Sequence, residues 1–457
     1  MTLSDKSGVL RNFLGALPEQ AASKLARAVE MDRLMDGTGL PHEAILMGLR
    51  SSLRNVRPPS RTQTPQRLFC QPFEDLLSSE ARSAKQKGVV ARASVTPVWT
   101  WILDVLLPQE AQNYIHDVKA LILAAKHEEA IARAEIFCAA AASAMGAAFA
   151  DTTALKALSK RLGQDALADA REMALLLAEG PEMRKVQERL PKPHPRLAED
   201  IVWQLRDSYD TLIARNPDAA PYVAVVAMNR LQRPCEALRL PLLICRQTGD
   251  ALISRTDMGL VGEILFGRMD SLQGAIMAAK PNSFDAETLL AQVATFSDLS
   301  SSVVKEIEVR RNGQWGQRLL KDRAAVGNVM DGFMDRAVKE IVPTLPMQKG
   351  TSDFSRLAPP EKRVAAFNYA RLVGGARRFA AAASFAAKQK TTWEEISNHL
   401  RRYIEDAVKE LKRPDGERRK IAEAQLNYCA ELAAVLFSAE EAELIHRRVR
   451  AAQTQAA

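Results

Sequence analysis

One stripe of apolar side chains constrains this chain more than any other feature. Between Phe284 and Val342, Leu289, Val293, Phe296, Ser300, Val303 and Ile307 recur at alternating steps of four and three. That spacing places side chains along one face of a helix. After a phase drift through Arg311, Trp315 and Leu319 the stripe resumes at Val326, Met330, Phe333, Ala337 and Ile341, and Pro343 stops it. The stretch is therefore either one kinked helix or an antiparallel pair turned at Asn312-Gly313. In both cases it carries a packing seam that must be met by other helices.

The rest of the chain supplies helices and almost no strands. Gly88 to Val95 has the β-branched content of a strand, but a strand without a partner is unstable, so it reads as an irregular extended piece. The expected fold class is all-α: a multi-helix bundle with a small N-terminal helical cap and a C-terminal helical hairpin. The cap covers residues 1–56, as short helices over Val9–Leu17, Pro18–Met35 and Pro41–Val56 with a turn at Asp36-Gly37-Thr38-Gly39. Residues 57–95 follow as a Pro-rich linker and extended docking arm, since four prolines between Arg57 and Pro72 disfavour a helix. Residues 96–342 form the central bundle, with a sub-boundary near 191–196 where three prolines alternate with other residues.

Beyond a third linker at about 342–362, residues 360–457 form the C-terminal hairpin. An alanine-rich helix runs to about Lys388 and a second starts from overlapping capping boxes at Thr391 and Thr392 with Glu394 and Glu395. Its stripe is Trp393, Ile396, Leu400, Tyr403, Ala407 and Leu411. Arg413-Pro414-Asp415-Gly416 then turns the chain, and Arg418 to Phe437 returns.

Five cysteines, none in a CxxC pair, read as free buried thiols in a reducing compartment, which favours the cytoplasm. The longest uncharged run, Ile136 to Ala150, is too short to span a bilayer, so no transmembrane segment is expected. There is no P-loop, no GxGxxG after a strand and no GxSxG. No two of the six histidines stand at metal-ligand spacing. No catalytic, cofactor-binding or metal residue is assigned, and no cofactor is expected.

Two stretches are candidates for recognition. Arg310, Arg311, Arg318, Lys321 and Arg323 crowd around Trp315, so the ring could stack on a base while the cations meet phosphate; solvated arginines paired with Glu306, Glu308 and Asp322 are the plainer reading. Leu68, Phe69, Phe73, Leu76 and Leu77 are too apolar for a solvated tether. They pack either on the protein itself or, as a docking segment, on a partner. A weaker basic cluster, Arg413 with Arg418, Arg419 and Lys420, sits at a loop. Trp99 and Trp101 cannot share one helical face, so one is expected in the core and the other over an edge.

The leading expectation is a non-catalytic cytosolic scaffold, adaptor or regulatory protein whose partner is another protein. The alternative is a nucleic-acid-binding protein using the basic patch from Arg310 to Arg323, in keeping with a net charge of +8. The third is an enzyme whose site is assembled from scattered residues. Neither oligomeric state nor process is encoded in a readable pattern.

Overall fold

The computed structural model describes residues 13–35, 39–49, 52–53, 63–80, 85–246, 249–311, 313–348, 350–413 and 416–456. The start of the first expected helix, the turn at 36–38, the end of the cap with the linker residues up to 62, Asn312 and Pro414-Asp415 lie outside the described residues. The protein is all-α. Its contacts divide it into two units, Met1–Gln232 and Arg233–Ala457.

In the first unit, α1 (Glu19–Leu34) and α2 (His42–Leu49) close on a small core of Leu14, Ala22 and Leu49. The next element departs from the extended path expected of the prolines. Pro65–Cys70 is an α-helix, α3, continued by a 3-10 turn over Gln71–Leu76. The reason is positional: Pro65 takes the first position of the helix and Pro72 the second position of the 3-10 turn, both within a first turn, where a missing N–H costs little. The Thr64 hydroxyl accepts from the Arg67 N–H at 3.2 Å, as a helix cap does.

A two-residue strand β1 (Leu77–Ser78) then pairs in parallel with β2 (Val90–Ala91), giving the expected irregular piece a partner. Next come α4 (Arg92–Trp101), a π-turn at Ile102–Leu106, α5 (Pro108–Leu123), α6 (His127–Ala150), α7 (Thr152–Leu162), α8 (Gln164–Ala178), α9 (Gly180–Arg189), α10 (Glu199–Arg215) and α11 (Tyr222–Arg230). Helix α6 packs against α5 and α8 through Ala130, Ala134, Phe137, Cys138, Ala141 and Met145, while Ile136 on its other side is exposed. It is the one described helix with the length and apolarity to cross a bilayer, and 39% of its apolar window is buried inside the protein. Residues 222–228 of α11 are buried on every side, and only Asn229 and Arg230 at its end are polar and partly exposed.

Both tryptophans of α4 are buried, against the expectation that one would cover an edge. Trp99 meets Phe69, Tyr114 and Phe137, and Trp101 meets Phe149. Neighbouring elements cover α4 on two sides, which a single-face argument does not foresee.

The second unit opens with a 3-10 turn at Pro234–Leu238, α12 (Arg239–Cys245), α13 (Asp250–Ile253) and α14 (Leu260–Ala278). The long stripe is two helices, α15 (Ala286–Glu306) and α16 (Gln314–Ile341), and every stripe position from Leu289 to Ile307 and from Val326 to Ile341 is buried. They pack mainly on α14 and on α17 (Pro360–Ala376) rather than on each other. Between α16 and α17 lies a small hairpin of β3 (Met347–Gln348) and β4 (Thr351–Ser352).

The C-terminal helices are α18 (Ala386–Leu411), α19 (Glu417–Leu436) and α20 (Ala439–Ala456). Helix α18 runs straight through the expected capping boxes: Thr391 Oγ1 bonds back to the Ala387 carbonyl at 3.0 Å and Thr392 is buried. A hydroxyl inside a helix turns to its own preceding turn when no N–H is left orphaned for it to cap. The returning hairpin of α18 and α19 forms, with α17 and α20 packed against it.

Candidate functional site

Of the expected polyanion residues, Trp315 is wholly buried. Its indole N–H donates to Glu263 Oε1 at 2.8 Å and its ring lies beside Phe266. A Cβ on Gly262 would fall 2.2 Å from the ring, so the two helices meet through that glycine. The indole is therefore closed to a base. Arg318 is bound to Glu263 at 2.9 Å and to Asp270. Burial works against its charge, and the two carboxylates more than offset this and raise its pKa. Arg323 donates to Ser300 Oγ at 2.5 Å, and burial lowers its pKa. Arg310, Arg311 and Lys321 stay exposed, Arg310 near Glu308 at 3.6 Å. The patch is thus three surface cations beside a closed core. The second cluster is engaged as well: Arg413 and Arg418 both reach Glu410, and Lys420 reaches Glu417.

The apolar segment is occupied by its own unit. Leu68, Phe69, Phe73 and Leu76 are buried and Leu77 is half-buried in β1. Phe69 centres an aromatic cluster, 4.7 Å from Trp99, 5.9 Å from Phe137 and 6.1 Å from Phe73.

Two buried carboxylates of the first unit lie one turn apart on α8. Asp169 faces Lys85 at 2.8 Å and accepts from Ser94 Oγ at 2.6 Å and from the Ala91 N–H at 3.1 Å. Glu172 faces Lys85 and accepts from the Gly88 N–H and the Tyr222 hydroxyl. Burial and the Glu172 charge push the Tyr222 hydroxyl far above its ordinary pKa. All four carboxylate oxygens thus tie the 85–94 segment to α8 and α11. In the second unit Asp250 does comparable work, accepting from the N–H groups of Arg310 and Gly316 where α16 begins.

One surface feature escaped the sequence reading. A recess of about 350 Å³ lies between α17 and α19, lined by Pro360, Arg363, Val364, Phe367, Tyr428 and Glu431. The Arg363 guanidinium stacks 4.4 Å over the Tyr428 ring. Further along, Arg377 stacks 4.3 Å over Trp393, Trp393 meets Phe437 edge-on at 5.7 Å, and Arg401 lies 5.3 Å over Phe437. The signal available in the sequence was charge density: residues 360–402 hold nine Lys or Arg against three Asp or Glu. Which of those cations would find a carboxylate was not legible.

Among the described residues no group of His, Cys, Asp and Glu side chains could hold a metal ion. The chain matches no protein-family model, no curated protein and no solved structure.

Proposed function

We propose that the protein is a non-catalytic helical scaffold or adaptor that works through contacts with another protein in a reducing, cytoplasmic compartment. The observation that supports the reading is the use made of one buried pair of charges. Each Asp169 and Glu172 oxygen faces a group of the fold itself, Asp169 Oδ1 meeting the Lys85 ammonium, so the pair serves to hold the 85–94 segment. Large side chains such as Ile136, Trp203 and Val364 stay on the surface, where contact with a partner can cover them. The compartment rests on five free cysteines, with burial pushing the Cys70 and Cys235 thiols up to about 12, values suited to inert structural thiols.

The test is affinity purification of the tagged full chain under native conditions, with nuclease digestion before mass spectrometry. A defined protein partner should persist in near-stoichiometric amount after digestion and should bind the isolated chain when purified. Recovery of the chain alone would sink the reading.

A further inference from the structure

We infer that the surface running along α17 and α19 to the Trp393–Phe437 pair, with Arg401 of α18 at its end, is a track for single-stranded nucleic acid, in which Arg363, Arg377 and Arg401 take backbone phosphates and the recess at Val364 and Phe367 takes a base. Several arginines of this unit are matched by carboxylates: Arg239 with Glu306, Arg318 with Glu263 and Asp270, Arg336 with Glu340, Arg371 with Glu287. Arg363, Arg377 and Arg401 differ. Among the described residues none of the three has a carboxylate within ion-pair distance or a hydrogen-bond acceptor, and each lies over an aromatic face. Stacking fixes the guanidinium plane and leaves its N–H edge free, which is the geometry of a phosphate clamp. Trp393 is itself held, its indole N–H donating to the Leu436 carbonyl at 3.2 Å, so the platform under Arg377 is rigid.

Arg363 meets α19 at Tyr428, and three turns along α17 Gly374 meets it again at Val435, just before Phe437 and the Trp393 cluster. That interval of eleven residues is about 16 Å of helix, long enough for several nucleotides. Charge complementarity favours a polyanion, because the excess of six positive charges in residues 360–402 equals the whole excess of the second unit. A strand is favoured over a membrane by the recess at one end, which offers the apolar walls of Val364 and Phe367, the latter with Arg371 over its ring, and Glu431 to accept a base amino group. This goes beyond the scaffold reading and stands or falls without it.

The test is fluorescence anisotropy of the full chain with a labelled single-stranded RNA of about a dozen mixed nucleotides. Three phosphate contacts predict a dissociation constant that rises about 15- to 20-fold when monovalent salt is raised about fourfold. Replacing Arg363, Arg377 and Arg401 together by Gln should weaken binding more than about tenfold at low salt and flatten the salt dependence, with the helical circular dichroism retained. The pair Arg310→Gln and Arg311→Gln should leave both unchanged. An abasic oligomer should bind several-fold more weakly. No binding at low salt overturns the proposal, as does unaltered binding by the triple variant. Preference for phosphatidylserine vesicles over RNA, lost in the same variant, assigns the track to a membrane and also overturns it. Should the triple variant fail to fold, ultraviolet crosslinking of the wild-type chain to bromouridine-substituted RNA decides: crosslinked peptides must map to 360–402 or 417–437, and crosslinks confined elsewhere defeat the inference.

Discussion

Trp315 and Gly262 behave as one fitted pair. The indole fills the space that a glycine leaves on α14, and a methyl group built at Gly262 would sit 2.2 Å from ring carbon Cζ2. Gly262→Ala should therefore cost about 1 to 3 kcal/mol through overpacking, read as a lower urea midpoint. A variant as stable as the wild type would mean the ring has room to move. Asp322, two turns along α16, carries the opposite kind of strain. Burial and the Asp270 charge raise its pKa, partly offset by Arg318 and Lys321. A carboxyl held above its unfolded pKa contributes its stability fully below the ordinary carboxylate range and loses it as pH rises through the folded value. Asp322→Asn should thus be more stable than the wild type at neutral pH, and the gain should shrink as pH falls toward about 3.9. A gain independent of pH would place its cause outside the carboxyl ionisation. The sequence named Trp315 as an interesting residue, yet whether it faced solvent or Gly262 depended on a glycine more than fifty positions away.

At the scale of elements, α3 and its 3-10 continuation are held by the aromatic cluster rather than by helix length. A six-residue helix is too short to be stable alone, so the packing of Phe69 and Phe73 must supply the difference. Phe69→Ala should destabilise the first unit by about 3 to 5 kcal/mol, measured by chemical denaturation of the full chain. If Phe69 served a partner instead, stability would barely change. The helical character of this stretch was hidden by its prolines, because proline forbids a helix interior but suits a first turn, and only the cap at Thr64 tells the two apart. The approach of α17 to α19 depends on Gly374, whose added Cβ would come 2.2 Å from the Val435 carbonyl. Gly374→Ala should part these helices and lower the melting temperature of the second unit. An unchanged melting curve would show the seam to be looser than its geometry.

Across the whole molecule, each unit has a core of its own: α5, α6 and α8 gather one, and α14 to α20 gather the other. A unit with its own core can fold alone. Fragments 1–232 and 233–457 should therefore each give a cooperative thermal transition with strong helical circular dichroism. A fragment that shows only unfolded spectra would count against two units. The seven prolines from 191 to 241 punctuate helices, yet the division falls at Gln232 and Arg233, because contacts rather than local stiffness decide which segments group together.

What the sequence by itself determined was periodicity and class. Every stripe residue from Leu289 to Ile307 and from Val326 to Ile341 went inside, and the helical class followed, because a side chain's face along a helix is set by spacing alone. What only the tertiary structure decided was the fate of charged and aromatic residues. Trp315 was closed off, Arg318 was paired, and Arg363, Arg377 and Arg401 were left over aromatic faces with open N–H edges. Their partners lie on other helices, tens of residues distant. An arginine's spacing along the chain says nothing about whether the surface it meets carries a carboxylate or a ring.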